Sequence, residues 1–167
     1  MKTIPLTQGK VAVVDDCDYD YLMQWKWQYH IEGYASHSVR RGKTVGSVLM
    51  HRLIVPGFPY VDHLDGDKLN NTRGNLRAAT AAQNKYNEGP SKASTSGLKG
   101  VRWSKAARKW TAQISAQTDQ GKKHFWLGTF TCKYEAARVW NKAALELHGE
   151  FAYQNIIQNG SPPIPHP

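Results

Sequence analysis

A chain of 167 residues with 40% hydrophobic content can build one modest domain or two small ones. Its net charge of +9 points to a polyanionic partner rather than an acidic or membrane-buried role. Only Cys17 and Cys132 are present, without a Cys-x-x-Cys pair, and no apolar run reaches membrane-spanning length; this argues against a disulfide framework, structural zinc and a membrane protein.

Residues 1–10 do not read as a signal peptide, so a cytoplasmic protein is expected. Residues 3–14 predict two short strands with Gly9 in the turn, and Val11, Val13 and Val14 make the second half-buried. Residues 15–27 open with acidic side chains that suit a helix N-terminus. Tyr21, Leu22 and Trp25 then form an apolar stripe expected in the core. Strands are expected over 33–35 and 45–50, with Arg40-Arg41-Gly42-Lys43 as a basic turn open to phosphate or to solvent. A short helix over 51–55 stops at Pro56-Gly57. These elements read as a scaffold for the segment that follows.

Residues 60–87, YVDHLDGDKLNNTRGNLRAATAAQNKYN, predict a strand over 60–64, a loop rich in Asp, Asn and Gly, a strand over 76–80 and a helix over 81–86. Thr80 is the expected N-cap, because its hydroxyl can accept a free N–H of the first turn. Asp65, Asp67, Asn70 and Asn71 read as ordinary loop chemistry. An EF-hand is excluded, since Gly66 stands at the second loop position and not the sixth. Asp62-His63, then Asn75 twelve residues after His63, then Asn84 twenty-one after it, stand out on this frame.

In these residues and this spacing the stretch resembles the HNH nuclease family, whose site is a ββα hairpin-helix holding one divalent ion. The resemblance implies Asp62 and Asn84 as metal ligands, His63 as general base and Asn75 as the residue bracing the loop. It implies one divalent ion, Mg²⁺ with Mn²⁺ as substitute. The chemistry is coherent: a neutral imidazole can take a proton from water near pH 7, and a hard ion suits carboxylate and amide oxygens. Successive strand residues face opposite ways, so His63 is expected at the strand–loop junction. The His-Arg-Leu element at His51 and Arg52 resembles one that precedes the hairpin in many relatives. His51 is expected either to brace the site or to touch DNA, and Arg52 to contact DNA.

Residues 88–97, EGPSKASTSG, lack periodicity and read as a linker. The basic excess lies beyond it: residues 91–167 carry 11 Lys and Arg against 4 Asp and Glu, whereas residues 1–90 carry 11 against 9. Strand-like runs at 98–103, 109–116 and 123–130 precede a helix over 132–148, with Thr131 as N-cap and Gly149 past its end. Trp110, Ala112, Ile114 and Ala116 mark one apolar strand face, and Ala136, Trp140, Ala143 and Leu147 one helix stripe. The words GVRW, KWTAQI, WLGTF and EAARVWNKAALELHG, with Asn155, resemble the AP2 DNA-binding domain. That resemblance implies DNA contacts by Arg102, Trp103, Lys109, Trp110, Gln113, Lys123 and Trp126. Residues 104–108 run one longer than in plant relatives, and Ser115 and His124 replace usual basic residues, so no target sequence transfers.

The expected architecture is α+β: an HNH nuclease domain over 1–90, a linker over 91–97, an AP2-like domain over 98–156 and a Pro-rich tail over 157–167. The pairing resembles the HNH homing endonucleases of bacteria and bacteriophages. It implies an enzyme cutting double-stranded DNA in a bacterial host cell; nicking by a monomer and double-strand cleavage by a dimer are both open, with the monomer favoured. The alternatives are an AP2-type DNA-binding regulator with an inactive HNH remnant, and a weakly specific nuclease.

Overall fold

The computed structural model describes residues 1–157, apart from the Arg41 side chain; the tail expected over 157–167 lies, from 158 on, outside the described residues. The protein is mixed α and β, with small antiparallel sheets and few helices. It divides into two compact units, Met1–Asn84 and a second beginning at Lys85. Among the described residues no helix is long and apolar enough to cross a membrane.

In the first unit, β1 (Lys2–Pro5) pairs with β2 (Val11–Val14), and a 3-10 turn, Thr7–Gly9, joins them. Ala12 and Val14 are the buried residues of β2 and Val11 is exposed, because alternation gives the core the even-numbered face. Helix α1 (Asp16–Leu22) is shorter than the expected segment. Its buried face is Asp18 and Leu22, four apart, so Tyr21 lies outside the core, 47% exposed, while Leu22 is fully buried and Trp27 donates its indole N–H to Leu22 O at 2.8 Å. Strands β3 (Gln28–Tyr29), β4 (Ala35–Arg41) and β5 (Thr44–Leu49) form a sheet in that order. Helix α2 (Met50–Ile54) follows and buries Met50, His51 and Ile54. Ile4, Leu6, Ala12, Val14, Leu22, Trp27, Met50, Ile54, Val61 and Leu76 pack into one cluster, so the scaffold and the hairpin that follows share a core.

That hairpin is β6 (Tyr60–His63) with β7 (Leu76–Ala79), followed by α3 (Ala81–Asn87). Thr80 caps α3 reciprocally: Gln83 N–H donates to Thr80 Oγ1 at 3.2 Å, and Thr80 N–H donates to Gln83 Oε1 at 2.8 Å. Thr80→Ala removes one half of this box and is expected to destabilise the protein by about 1 kcal/mol in urea unfolding. An unchanged midpoint would show that packing alone holds the helix start.

In the second unit β8 (Val101–Ser104), β9 (Lys109–Thr118) and β10 (Gly121–Phe130) form an antiparallel sheet with β9 in the centre. Helix α4 (Lys133–His148) covers it. Cys132 and not Thr131 is the N-cap residue, and no side-chain hydrogen bond closes that end. The buried stripe of α4 is Ala136, Ala137, Trp140, Ala144 and His148, whereas Leu147 is 38% exposed. At 100° per residue this face is turned roughly 60° from the expected one. The rotation sets the His148 ring 2.9 Å (Nε2) from Ser115 O and in a 3.7 Å stack on Tyr86.

The stretch expected as a linker carries specific contacts. Ser96 is buried and its hydroxyl donates to Val101 O at 2.7 Å. Lys99 Nζ donates to the carbonyls of Lys85, Tyr86 and Glu88, satisfying acceptors that a helix end leaves open. Burial, chiefly, lowers the Lys99 pKa to about 8, with Glu88 acting against the shift.

Candidate functional site

The loop between β6 and β7 is organised by Asp65 and Asn75. Asn75 is buried and its Oδ1 accepts the Asp65 N–H at 3.0 Å. Its Nδ2 donates to Asp65 Oδ1 at 2.9 Å and to Asn70 O at 2.8 Å. Leu64 N–H donates to Asn75 O, so one residue ties both ends of the loop. Asp65 also accepts from Asp67 N–H and Asn70 Nδ2. Burial pushes its carboxyl up, but hydrogen bonds from Asn70, Asn75 and Asp67 outweigh burial and hold it below the ordinary value.

The loop is also fastened to the scaffold. Val13 N–H donates to Leu69 O at 2.9 Å and Asn71 N–H to Val13 O at 2.7 Å. Arg73 donates through Nε and Nη2 to the buried Asp18 at 2.8 and 2.6 Å, and its backbone N–H donates to Asp15 Oδ2 at 2.7 Å. Asn71, expected as plain loop chemistry, is 1% exposed.

His63 ends β6, opposite Leu76, and is buried. Its ring lies 5.1 Å from that of His51 and 5.9 Å from that of Tyr34, which itself meets His51 at 5.1 Å. Lys68 Nζ sits 4.3 Å over the Tyr34 ring. Burial pulls the His63 pKa below the ordinary histidine value; the Asn71 amide and then Asp65, Asp62 and Asp67 oppose it without cancelling it. His51 is pulled down to about 3, by burial first and then by His63, Arg52 and Lys68. Both imidazoles are therefore neutral at pH 7, and a neutral imidazole can accept a proton.

Asp62 precedes His63 on the other strand face, directly across from Arg77. Arg77 donates through Nε at 2.9 Å and Nη2 at 2.7 Å to Asp62 Oδ2. Asn84 lies one turn into α3, half-buried, with its backbone N–H on Thr80 O at 3.0 Å. Thus Asp62, His63 and Asn75 share one hairpin and Asn84 the helix after it, all in the first unit. Arg52 is exposed on α2, its Nη2 3.5 Å from Pro59 O. Among the described residues no three His, Cys, Asp or Glu side chains group as a metal cluster. The implied donor set, one carboxylate and one amide, needs no such cluster, and its hard oxygens fit Mg²⁺ in kind. Arg77, Tyr34 and Asn71 escaped the sequence reading. Arg77 alone had a signal, its place in the strand expected over 76–80.

In the second unit the strand register sorts the candidate DNA contacts. Directly paired residues share a face. Gln113 pairs with Trp126 and Arg102 with Thr111, and these lie on the face opposite Ala112 and Ile114, with Lys109. Trp126 is 58% exposed there. Trp103 pairs with Trp110 on the α4 side, their rings edge-to-face at 5.2 Å. Lys123 pairs with Ala116 on that same side, and its Nζ donates to Gln120 Oε1. Seven expected contacts thus fall on two faces.

Two family models match separate stretches of the chain. The HNH endonuclease family model matches residues 55–86 and the AP2 domain model matches residues 96–150. An uncharacterized HNH endonuclease, L560, of Acanthamoeba polyphaga mimivirus is 32% identical over 158 residues, covering 90% of this chain and 77% of that protein. Protein 3.8 of Escherichia phage T7 is 37% identical over 99 residues, covering 59% of this chain and 77% of that protein. No solved structure matches the chain.

Proposed function

Because the chain belongs to the HNH endonuclease family and carries an AP2 domain, we propose that its first unit hydrolyses phosphodiester bonds of double-stranded DNA while its second grips the duplex. The observation that carries this reading is the setting of His63: a buried, neutral imidazole at a strand end, beside a loop that Asn75 ties at both ends. His63 takes a proton from water on an imidazole nitrogen, and the hydroxide so formed attacks phosphorus in line. The bond to the 3′ oxygen breaks and that oxygen takes a proton from solvent water, leaving 5′-phosphate and 3′-hydroxyl ends. Asn75 acts as a positioning residue, fixing the loop on which the strand end depends. Asp62 and Asn84 would hold one divalent ion, Mg²⁺ by donor type with Mn²⁺ as substitute. Such an ion supplies positive charge against the leaving oxygen.

The sheet face turned away from α4 is the proposed DNA surface. Arg102 and Lys109 would meet phosphates, Gln113 base edges, and Trp126 a sugar or base. Trp103, Trp110 and Lys123 would border that surface, and Arg52 would add a phosphate contact from the first unit. The reading is of a homing-type, monomeric enzyme of the phage and bacterial kind.

Supercoiled plasmid incubated with the protein tests this. Conversion to nicked or linear DNA is expected with Mg²⁺ and none with EDTA. One observation favours a rival, an AP2-type DNA-binding regulator with a silent HNH remnant: the Arg77 guanidinium already rests on Asp62. That rival requires retarded DNA without cleavage, on plasmid and on a random-sequence library alike.

A further inference from the structure

Asp62 and Arg77 form an ion pair that water barely reaches. Their side chains are 5% and 13% exposed, whereas Arg73 in its pair with Asp18 is 56% exposed. Two N–H groups of Arg77 converge on one oxygen, Asp62 Oδ2, at 2.7 and 2.9 Å. A guanidinium does not shed its charge in a protein, so this carboxylate carries a fixed positive neighbour at every working pH. Any second cation placed on Asp62 meets that charge at close range and in a poorly screened setting. For Arg77 to give up the carboxylate without loss it needs another anion of matching shape, and a phosphodiester oxygen pair accepts the same fork. A DNA strand at the hairpin would bring that anion.

We infer that Arg77 is a built-in counter-cation of Asp62, which weakens divalent-ion binding by the DNA-free protein and couples ion loading to the arrival of a phosphate. The inference rests on the reading above, in which Asp62 holds the ion. It makes Arg77 a positioning residue whose effect is read on the ion as well as on cleavage. Deleting its charge should help the ion bind and still harm the reaction.

The test is Mn²⁺ titration of the full chain, followed by the electron paramagnetic resonance signal of unbound Mn²⁺. Without DNA, Arg77→Gln is expected to bind Mn²⁺ at least about tenfold more tightly than the wild type, and Asp62→Asn more weakly. In a His63→Ala background, a short random-sequence duplex is expected to raise Mn²⁺ affinity more when Arg77 is present than in Arg77→Gln. Equal or weaker Mn²⁺ binding by Arg77→Gln, with Asp62→Asn impaired, overturns the inference and leaves the functional reading standing. Unchanged binding by Asp62→Asn removes the reading and the inference together. Should Arg77→Gln not fold, Mg²⁺ titration of the wild type decides the matter through the Arg77 Nε–H NMR signal, assigned by its loss in Arg77→Lys. That signal is expected to shift as the ion binds, and a fixed signal at saturating Mg²⁺ overturns the inference.

Discussion

Replacing His63 with alanine is expected to slow cleavage by a factor of ~10² or more, the usual cost of removing a general base, while DNA retardation in a gel stays as in the wild type. The two readouts separate because the proposed grip lies in the second unit. The ring is buried between His51 and Tyr34, so truncation also leaves a cavity. His63→Gln, which fills more of that space, is the companion variant and is expected to lose cleavage equally. In the wild type the same base sets the acid side of the pH profile. Burial holds the His63 pKa below 6.5, so the neutral, proton-accepting form persists as pH falls below that value. Cleavage should therefore decline only on the acid side of 6.5. A His63→Ala enzyme of wild-type speed, or a decline centred above 6.5, would remove His63 from the role of base.

Gly100→Ala is expected to destabilise the second unit by about 4 kcal/mol, visible as a lowered urea midpoint in tryptophan fluorescence. Gly100 has φ +74°, a region that costs an L-residue roughly 1–2 kcal/mol. A Cβ there would also stand 1.9 Å from Trp140 Nε1, well inside contact distance, and the clash adds about 1–3 kcal/mol. The indole has little room to retreat: it is 1% exposed, and its N–H donates to Gln113 O at 3.1 Å. Gln113 N–H in turn donates to Gly100 O at 3.0 Å, closing the contact from the other side. A variant as stable as the wild type would mean that the Trp140 ring shifts freely.

The parts of this protein that were legible in the amino-acid order are those fixed by local chemistry. Thr80 stands directly before Ala81-Ala82 and a helix-compatible run, and an N-cap hydroxyl needs nothing more distant. His63 could be placed at a strand end because neighbouring strand residues face opposite ways, and Asp62 and His63 can serve one site only where the strand stops. The alternation from Trp110 to Ala116 gave the core face of β9 without knowledge of its partners. What stayed hidden depends on partners distant in the chain. Tyr21 has the same apolar character as Leu22, and only the face that α1 turns to the core, that of Asp18 and Leu22, decides which one is buried. His148 displaced Leu147 because Ser115 O and the Tyr86 ring lie where α4 passes, and neither is near it in sequence. Arg77 lies in a strand visible in the sequence, but only the register sets it on Asp62. The seven expected DNA contacts divided between two faces for the same reason.

The fastening of the β6–β7 loop to Val13, Asp15 and Asp18 bears on how small this catalyst could be made and whether it could be transplanted. Every residue proposed for the chemistry lies within the segment 55–86, so an excised peptide would keep the full set of reactive groups. It would leave behind the acceptors of Asn71 N–H and Arg73, which come from more than fifty residues upstream. Freed of them, the loop would sample many shapes, and Asn75 alone would have to hold His63 and Asp62 in register. A graft into another protein would succeed only if the host supplied a strand edge and a carboxylate in the places of Val13 and Asp18. The hereditary unit of the proposed activity is thus larger than its motif, and recombination that cuts between residues 20 and 55 would separate the proposed reactive groups from the frame that holds their loop.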